Sequence, residues 1–272
     1  MLPSFLLAVL FGVLEGVTEW LPVSSTGHLI LLRHFVSFPV RPAFFELFEV
    51  VVQLGAILAV VVLFFTRLNP FSRKKAAGER AATWRLWGLV LLAAAPSALV
   101  GFLADDLLEE KLYNVPVVAA ALIFYGVLFL LVEYRWGKAP RERSGEITPR
   151  RALGVGLFQV LALVPGTSRS GATVLGGLCL GLSRTAAAEF SFFLGIPTMA
   201  GASGLKTIKF FLEGNVLSRE EAVLLAAGTL TAFLVSITTI RALLAFVRRH
   251  SFAAFGVYRI LLGGAVLLTL LI

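Results

Sequence analysis

Long apolar stretches dominate the hydrophobic pattern of this 272-residue chain. Each runs for about 18 to 25 residues, which lets a helix cross a hydrocarbon core of about 30 Å. The runs are continuous, as in "VVQLGAILAVVVLFF" at 51–65, and lack the alternation of β-barrel strands. A helix also satisfies its own backbone hydrogen bonds in lipid. The pattern therefore predicts an all-α polytopic membrane protein with six spanning helices: 43–66, 84–104, 113–134, 185–208, 220–240 and 252–272.

Two further apolar regions, 3–36 and 150–182, are each interrupted near the middle by a polar stretch. The first contains "LPVSSTG" at 21–27, and the second contains "PGTSRSG" at 165–171. Irregular backbone at membrane depth is tolerated where it lines a cavity. We therefore predict two re-entrant helical hairpins, each of which enters the membrane and returns to the same side.

The charges of the loops predict which side of the membrane each loop faces. The loop at 67–85 carries six basic residues against one acidic residue, and the loop at 135–151 carries another six basic residues. Both loops are expected in the cytoplasm, because cytoplasmic loops are enriched in Lys and Arg. The acidic "DDLLEE" at 105–110 and both chain termini then face the opposite side, outside the cytoplasm.

Three spans separate the two hairpins in this layout, so the second hairpin is upside down relative to the first. This predicts a single integral membrane domain over 1–272, built as an inverted-topology repeat with halves at about 1–140 and 145–272. In folds of this kind, paired interrupted helices mark a binding site near the membrane midplane. At an offset of 144 residues the halves match weakly in these pairs: Gly12 with Gly156, Glu15 with Gln159, Ser24 with Ser168, Thr26 with Ser170, and Gly27 with Gly171.

Composition agrees with a membrane protein, with 58% hydrophobic and 15% charged residues. The net charge of +8 lies in short loops between apolar stretches, where it determines orientation, so it does not indicate a nucleic-acid partner. Cys179 is the only cysteine, which excludes an intrachain disulfide and a cysteine metal cluster. The N-terminus lacks the basic region and cleavage site of a secretory signal, so we expect the first apolar stretch to remain in the mature protein.

Two glutamates lie directly before the first polar interruption. Glu15 and Glu19 are four residues apart and share one helix face. Because intramembrane carboxylates are usually functional, we expect both to be catalytic, as metal ligands or as proton acceptors. The alternative is that they are solvated structural acids in a water-filled vestibule.

Hydroxyl residues in each interruption are expected to begin the returning helices as N-caps. If both loops meet at the midplane, two helix N-termini converge and form an anion site, most naturally for phosphate. The alternative is that the hydroxyls only cap helices and allow close packing. The predicted phosphate-binding residues are Ser24, Thr26, Ser168, Arg169, Ser170 and Thr173.

Arg169 lies within the second hairpin, where an unpaired guanidinium would cost at least ~2.5 kcal/mol. A guanidinium suits bidentate phosphate binding and stabilises the charge on a transferring phosphoryl group. A salt bridge to Glu15 or Glu19 is the competing structural role.

His28 follows Ser24 by four residues and Ser25 by three, in the first turn of the returning helix. It is a candidate general base toward a hydroxyl or a candidate nucleophile toward phosphorus, and the alternative is a hydrogen-bonded packing residue. A Mg²⁺ or Ca²⁺ ion between carboxylate and pyrophosphate oxygens is compatible with this residue set. Other polar residues at or inside spans are expected to line the same cavity or to pair with arginines behind the catalytic residues: Glu49, Gln53, Glu189 and Arg259.

The motifs closely resemble those of the undecaprenyl-pyrophosphate phosphatases of the bacitracin-resistance type. That family is marked by "ExxxE" leading into "LPVSSTGH" and by "PGxSRSGAT", which here read "EGVTEWLPVSSTGH" at 15–28 and "PGTSRSGAT" at 165–173. The "FEVVxQLG" element also matches at 48–55, so the resemblance covers nearly the whole chain.

The resemblance implies a bacterial inner-membrane enzyme that removes the terminal phosphate of a C55 polyprenyl pyrophosphate. The product is the monophosphate carrier of cell-wall synthesis, and the activity gives bacitracin resistance. The resemblance also implies a divalent cation and a site open to the periplasm. The residues at matching positions are Glu15, Glu19, Ser25, His28, Ser168, Arg169, Ser170 and Thr173.

The residues and the resemblance together give a concrete hypothesis. The lipid tail lies between spans or in a groove open to the membrane lipids, and the pyrophosphate lies between the hairpin loops. Arg169 and the loop N–H groups hold the phosphates, while Glu19, alone or with Glu15, binds the metal or accepts a proton. Ser25 and His28 are both candidate nucleophiles, and we favour Ser25 with His28 as its base. Association as a homodimer is left open.

A lipid-phosphate transporter or flippase is the alternative function, because broken helices in inverted repeats are usual in alternating-access carriers. A carrier binds phosphate without cleaving it. The presence of Glu15, Glu19, Ser25 and His28 together therefore favours the enzyme.

Overall fold

The structure is a computed structural model that describes residues 4–137 and 144–270. The side chains of residues 105–110 and 136–137 are outside this description. The acidic stretch 105–110, expected in a loop, lies within the last turns of a long helix, Ala77–Leu112. The expectations for part of the second basic loop and for the two chain ends lie outside the described residues. Within the described ranges the regular elements are helices, with no strand and one isolated bridge between Ser144 and Leu182.

Eleven α-helices follow one another along the described chain, and a 3₁₀-helix at Leu161–Leu163 directly follows the seventh. They are α1 (Ser4–Thr18), α2 (Ser25–Phe35), α3 (Pro42–Leu63), α4 (Phe65–Leu68), α5 (Ala77–Leu112), α6 (Val115–Gly137), α7 (Pro149–Val160), α8 (Arg169–Cys179), α9 (Arg184–Leu212), α10 (Arg219–Val247) and α11 (Ala253–Leu268).

Each of the six predicted spans corresponds to one helix: α3, α5, α6, α9, α10 and α11. Four of these helices, α3, α5, α6 and α10, contain a stretch long and apolar enough to cross a membrane. Helix α9 has 29 residues but contains Pro197 and a more polar second half with Lys206 and Lys209. Helix α11 has 16 residues, and its length of about 24 Å is short of a full bilayer core. The chain is a multi-pass membrane protein.

Both interrupted regions fold as helix, break and helix. In the first, α1 ends at Thr18 and α2 begins at Ser25; in the second, α7 and its 3₁₀ extension end at Leu163 and α8 begins at Arg169. Each break contains a proline, Pro22 or Pro165, which lacks a backbone donor and disfavours continued helix. The polar stretches therefore interrupt the helices where the sequence predicts a break.

The two breaks share their local geometry. Helices α2 and α8 each have 11 residues, and their bounds differ by the same 144 positions at both ends. Their N-cap residues, Ser24 and Ser168, are the non-glycine residues of the described chain with positive φ, at 72° and 69°. This backbone region is unfavourable for serine. Each hydroxyl offsets part of the strain by accepting the N–H of Gly27 at 3.4 Å or of Gly171 at 3.1 Å.

The first arm of each broken segment packs against a helix of the other half of the chain, α1 on α10 and α7 on α5. A glycine lets the backbones touch at each contact. A Cβ on Gly12 would lie 2.5 Å from the Gly228 carbonyl oxygen, and a Cβ on Gly156 would lie 2.3 Å from that of Ala93. Close approach through small residues is a usual basis of helix association in membranes. Each half thus fixes the break of the other.

Candidate active site

An ion pair joins the two breaks. Arg169 is the first residue of α8, and its Nη2 donates to Glu19 Oε1 across 2.8 Å. Both side chains are largely buried, at 13% and 9% exposed. The structure brings these two predicted residues together, and it shows the salt bridge that the sequence left open as a structural role of Arg169.

Three further residues, two of them on α9, direct the Arg169 guanidinium. Its Nη1 donates to the Ser191 carbonyl at 2.7 Å, and its Cζ lies 5.6 Å from the centre of the Trp20 ring. A Cβ on Gly195 would lie 2.9 Å from Cζ, so α9 leaves space for the guanidinium only because this position is glycine. Sequence reasoning missed these three residues, since only the fold brings them to Arg169.

The Ser25 hydroxyl shares the same carboxylate. Ser25 is the first residue of α2, and its Oγ donates to Glu19 Oε2 at 3.4 Å. Glu19 therefore lies between the starts of α2 and α8. The first-turn N–H groups of a helix have no partner within the helix, and both helix starts favour negative charge. A hydroxyl beside a carboxylate is also the arrangement of a nucleophile with its general base.

Glu15 lies one helical turn before Glu19 and is 5% exposed. Its Oε1 is buried and has no hydrogen-bond partner among the described residues. The structure thus buries both glutamates, which differs from the alternative of solvated acids in a vestibule. A buried carboxylate oxygen without a partner is unfavourable unless a proton, a cation or a ligand satisfies it.

His28 directs both ring nitrogens to groups other than Ser25, and its role as base toward Ser25 stays a prediction. Its Nδ1 faces the Ser24 carbonyl at 2.7 Å, and its Nε2 faces the Tyr258 hydroxyl at 2.7 Å. A carbonyl only accepts, so Nδ1 carries a proton, and in the neutral imidazole Nε2 accepts from Tyr258. The Tyr258 ring also stacks on the imidazole, with centroids 5.6 Å apart. Tyr258 was missed in the sequence, although it directly precedes Arg259, which was expected near the site.

The hydroxyls of the second break form hydrogen bonds mainly within the protein. Ser170 Oγ donates to the carbonyls of Glu19 at 3.0 Å and Leu21 at 3.1 Å, so it links the two breaks. Thr173 Oγ1 lies 2.6 Å from Ser191 Oγ, on α9. Both residues are buried, whereas Ser25 and Thr26 of the first break are half-buried. Phosphate binding by Ser170 and Thr173 stays a prediction.

The four residues expected behind the site differ in their contacts and burial. Glu189 forms an ion pair with Arg67, as one alternative had it. Glu49 and Gln53 are half-buried on α3. Arg259 of α11 is fully buried and bonds carbonyls of both breaks.

These features define an all-helical, multi-pass membrane protein with a buried charged site at the junction of two broken helices. The profile of one family, "Bacitracin resistance protein BacA", matches residues 8–265. The chain belongs to this family.

Curated relatives agree over nearly the full length. An undecaprenyl-diphosphatase of Streptococcus thermophilus is 50% identical over 266 residues, which cover 97% of this chain and 92% of the relative. Those of Enterococcus faecalis and Streptococcus agalactiae are 50% and 49% identical over 262 and 267 residues, covering 96% and 97% of this chain and 95% and 96% of the relatives.

Proposed function

We propose that this chain is an undecaprenyl-diphosphatase, which hydrolyses undecaprenyl pyrophosphate to undecaprenyl phosphate and inorganic phosphate at the junction of the two breaks. The family and the names of the relatives support the activity. One structural observation carries the choice of site: Glu19 is bonded at once by the Ser25 hydroxyl and by Arg169, where two helices begin.

In the proposed mechanism, Ser25 Oγ attacks the terminal phosphorus while Glu19 accepts its proton. The bond between that phosphorus and the bridging oxygen breaks. Undecaprenyl phosphate leaves with the bridging oxygen and with the proton that Glu19 had accepted, so Glu19 is again a carboxylate. Arg169 and the N–H groups at the starts of α2 and α8 stabilise the charge on the phosphoryl oxygens. Water then attacks the phosphoserine with Glu19 as base, and the proton returns to Ser25 as inorganic phosphate is released.

His28 is the second candidate nucleophile. Its Nε2 accepts from Tyr258 and its Nδ1 donates to the Ser24 carbonyl, so neither nitrogen is free to attack in this arrangement. This favours Ser25. We assign His28 the positioning of the first break, through the carbonyl of the N-cap residue of α2.

A divalent cation is the second component that we propose. The described residues contain no group of three or more His, Cys, Asp or Glu that would hold a metal unaided. Mg²⁺, however, usually binds one or two carboxylates together with substrate phosphates. Glu15 fits this mode, because one buried carboxylate oxygen has no partner, and Glu19 lies one turn away. When bound, the cation would neutralise pyrophosphate oxygens.

We further propose that all six long helices span the inner membrane and that the broken segments are re-entrant hairpins of an inverted repeat. The matched helix bounds, the paired positive-φ serines and the reciprocal packing of α1 and α7 support this layout. The basic loop at 67–85 places its end of the bundle in the cytoplasm. The site then opens to the periplasm, where it recycles the lipid carrier of peptidoglycan synthesis.

The transporter or flippase alternative is not favoured. The curated relatives are named for a hydrolase, and the Ser25–Glu19 contact is a feature of bond cleavage that a carrier does not need.

Purified protein in detergent tests the function, because micelles offer no compartments for transport. We expect folded protein with undecaprenyl pyrophosphate and Mg²⁺ or Ca²⁺ to release inorganic phosphate and undecaprenyl phosphate in equal amounts, measured by colorimetry and mass spectrometry. An Arg169→Ala protein purified identically controls for contaminating phosphatases. Folded protein that binds the lipid and releases no phosphate would refute the proposal.

A further inference from the structure

Arg259 is a fully buried arginine in α11, outside both broken segments, yet it contacts both of them. Its Nη1 donates to the Pro22 carbonyl of the first break at 3.2 Å. Its Nη2 donates to the Gly166 and Thr167 carbonyls of the second break, each at 2.9 Å. One side chain therefore links the two irregular segments that carry the site.

The guanidinium has no acidic partner in the described part of the chain, where its hydrogen bonds go to backbone carbonyls. Its Cζ lies 5.8 Å from the centre of the Tyr125 ring. A buried charge is unfavourable unless it is well bonded, and hydrogen bonds from a charged donor are stronger than neutral ones. A planar guanidinium holds several acceptors in a fixed geometry, whereas a Lys ammonium is a point charge on a flexible stem.

Helix α11, which carries Arg259, packs closely against α6 through glycines. A Cβ on Gly256 would lie 2.8 Å from the Gly126 carbonyl oxygen, and a Cβ on Gly263 would lie 3.0 Å from that of Ala119. Backbone contact of this kind fixes α11 against α6. Because α11 is fixed, the hydrogen bonds of the Arg259 guanidinium restrain the two breaks.

The carbonyls that Arg259 binds also orient a donor of the site. In a trans peptide the C=O and N–H groups point in opposite directions. The Thr167 carbonyl points to Arg259, so the Ser168 N–H of the same peptide points away from it, at the N-cap of α8. The positive charge polarises that peptide and makes the N–H a better donor to an anion.

We propose that Arg259 is a positioning residue for phosphoryl transfer, which fixes the spacing of the two breaks so that Arg169 on the second reaches Glu19 and Ser25 on the first. This inference rests on the proposed function. It assigns Arg259 to catalysis through geometry, without contact between Arg259 and the reacting atoms.

The test compares Arg259→Lys with Arg184→Lys. Arg184 also holds helices together, through two hydrogen bonds to the buried carboxylate of Glu133 at 3.0 and 2.6 Å, but it contacts neither break. Both variants keep the charge and lose the planar fork. For each, kcat and KM for undecaprenyl pyrophosphate are measured per folded molecule in detergent, with the thermal midpoint recorded alongside.

We expect Arg259→Lys to lower kcat about 100-fold, because a displacement of about 1 Å of catalytic groups has an effect of that size. KM is expected to change less than threefold, and the thermal midpoint no more than in Arg184→Lys. Arg184→Lys should keep kcat within about threefold of the unaltered protein.

A kcat for Arg259→Lys within threefold of that of Arg184→Lys would overturn the proposal. So would equal losses in both variants, since that pattern indicates general stability. If Arg259→Lys does not fold, Arg259→Gln replaces it with the same expectation, and failure of both to fold would assign Arg259 to folding alone. Phosphate release by the unaltered protein, measured alongside, keeps the proposed function intact in each of these cases.

Discussion

At the residue scale, the Glu19 carboxylate connects the two halves of the site. One oxygen faces the Ser25 hydroxyl at 3.4 Å and the other faces Arg169 at 2.8 Å. In the proposed mechanism, the same group removes a proton from Ser25 and holds the guanidinium that stabilises the phosphoryl group. Substitutions of its two partners separate these roles.

Arg169→Ala is expected to lower phosphate release about 10³-fold, because a preorganised cation at a transferring phosphoryl group contributes at least that much. The loss in folded yield should be far smaller, since Glu19 keeps its contact with Ser25. The measurement is the rate per folded molecule after size-exclusion chromatography. Arg67→Ala is the matched control, because it also removes an arginine from an ion pair, with Glu189, away from the breaks. Near-normal release from Arg169→Ala would remove Arg169 from the mechanism.

Ser25→Ala is expected to abolish a phosphoenzyme that the unaltered protein forms. The substrate is labelled with ³²P in its terminal phosphate, the reaction is quenched within one turnover, and the labelled peptide is identified by mass spectrometry. Thr26→Val, which removes the neighbouring hydroxyl in the same turn, should keep the label on Ser25. Label on His28 would show that the imidazole is the nucleophile.

At the scale of the helices, α9 leaves space for the Arg169 guanidinium because it has a glycine at position 195. Gly195 stands where a methyl group would meet the guanidinium of Arg169, at 2.9 Å from Cζ and Nη2. Helix α9 also supplies the Ser191 carbonyl that binds the same guanidinium. The position of α9 therefore determines where Arg169 points.

Gly195→Ala is expected to lower kcat 10-fold or more with little change in thermal midpoint, because the guanidinium is displaced while the helix gains a residue that favours helix. Gly201→Ala on the same helix is the control, since a Cβ there meets nothing within 4 Å. Equal activity of the two variants would contradict this account of Gly195.

Gly156→Ala tests the packing of α7 on α5. Its Cβ would lie 2.3 Å from a backbone oxygen, which cannot rotate away, so the helices must separate at a cost of about 1–3 kcal/mol. We expect a lower thermal midpoint in detergent. Gly88→Ala on α5 has open space around its Cβ and should leave the midpoint unchanged or slightly raised. A normal midpoint for Gly156→Ala would mean that the two backbones are farther apart.

The helices and their breaks were predictable because their signals are local. Apolar length predicts the six long helices, and Pro with adjacent hydroxyls predicts the breaks near Ser24 and Ser168. Contacts between distant segments were not predictable. Tyr258 binds His28 across 230 positions, and Arg259 binds Gly166 across 93. One sequence without its fold does not show which polar groups face each other across a bundle.

At the scale of the whole molecule, the layout in the membrane makes the two ends of the bundle accessible from different sides. Lys74 is exposed in the basic loop after α4, and Glu213 is exposed in the loop after α9. If the proposed orientation holds, the inner membrane separates these two loops, with Lys74 on the cytoplasmic side and Glu213 on the periplasmic side.

We expect a membrane-impermeant maleimide to label Glu213→Cys in intact cells and Lys74→Cys only after permeabilisation. Both variants are made with Cys179→Ser, which removes the single native thiol. The readout is the mass shift of the purified protein. The reverse labelling pattern would invert the orientation and direct the site to the cytoplasm.

The ion pair between the breaks has a consequence for when the site becomes reactive. Without substrate, Arg169 pairs with the carboxylate that the proposed mechanism uses as base, so in that mechanism the ion pair holds the base inactive. A pyrophosphate that attracts the guanidinium would draw it from Glu19 and free that oxygen for the proton of Ser25. The phosphodiester of a neighbouring phospholipid carries less negative charge than a pyrophosphate and would draw the guanidinium from Glu19 less, so its bonds would be spared.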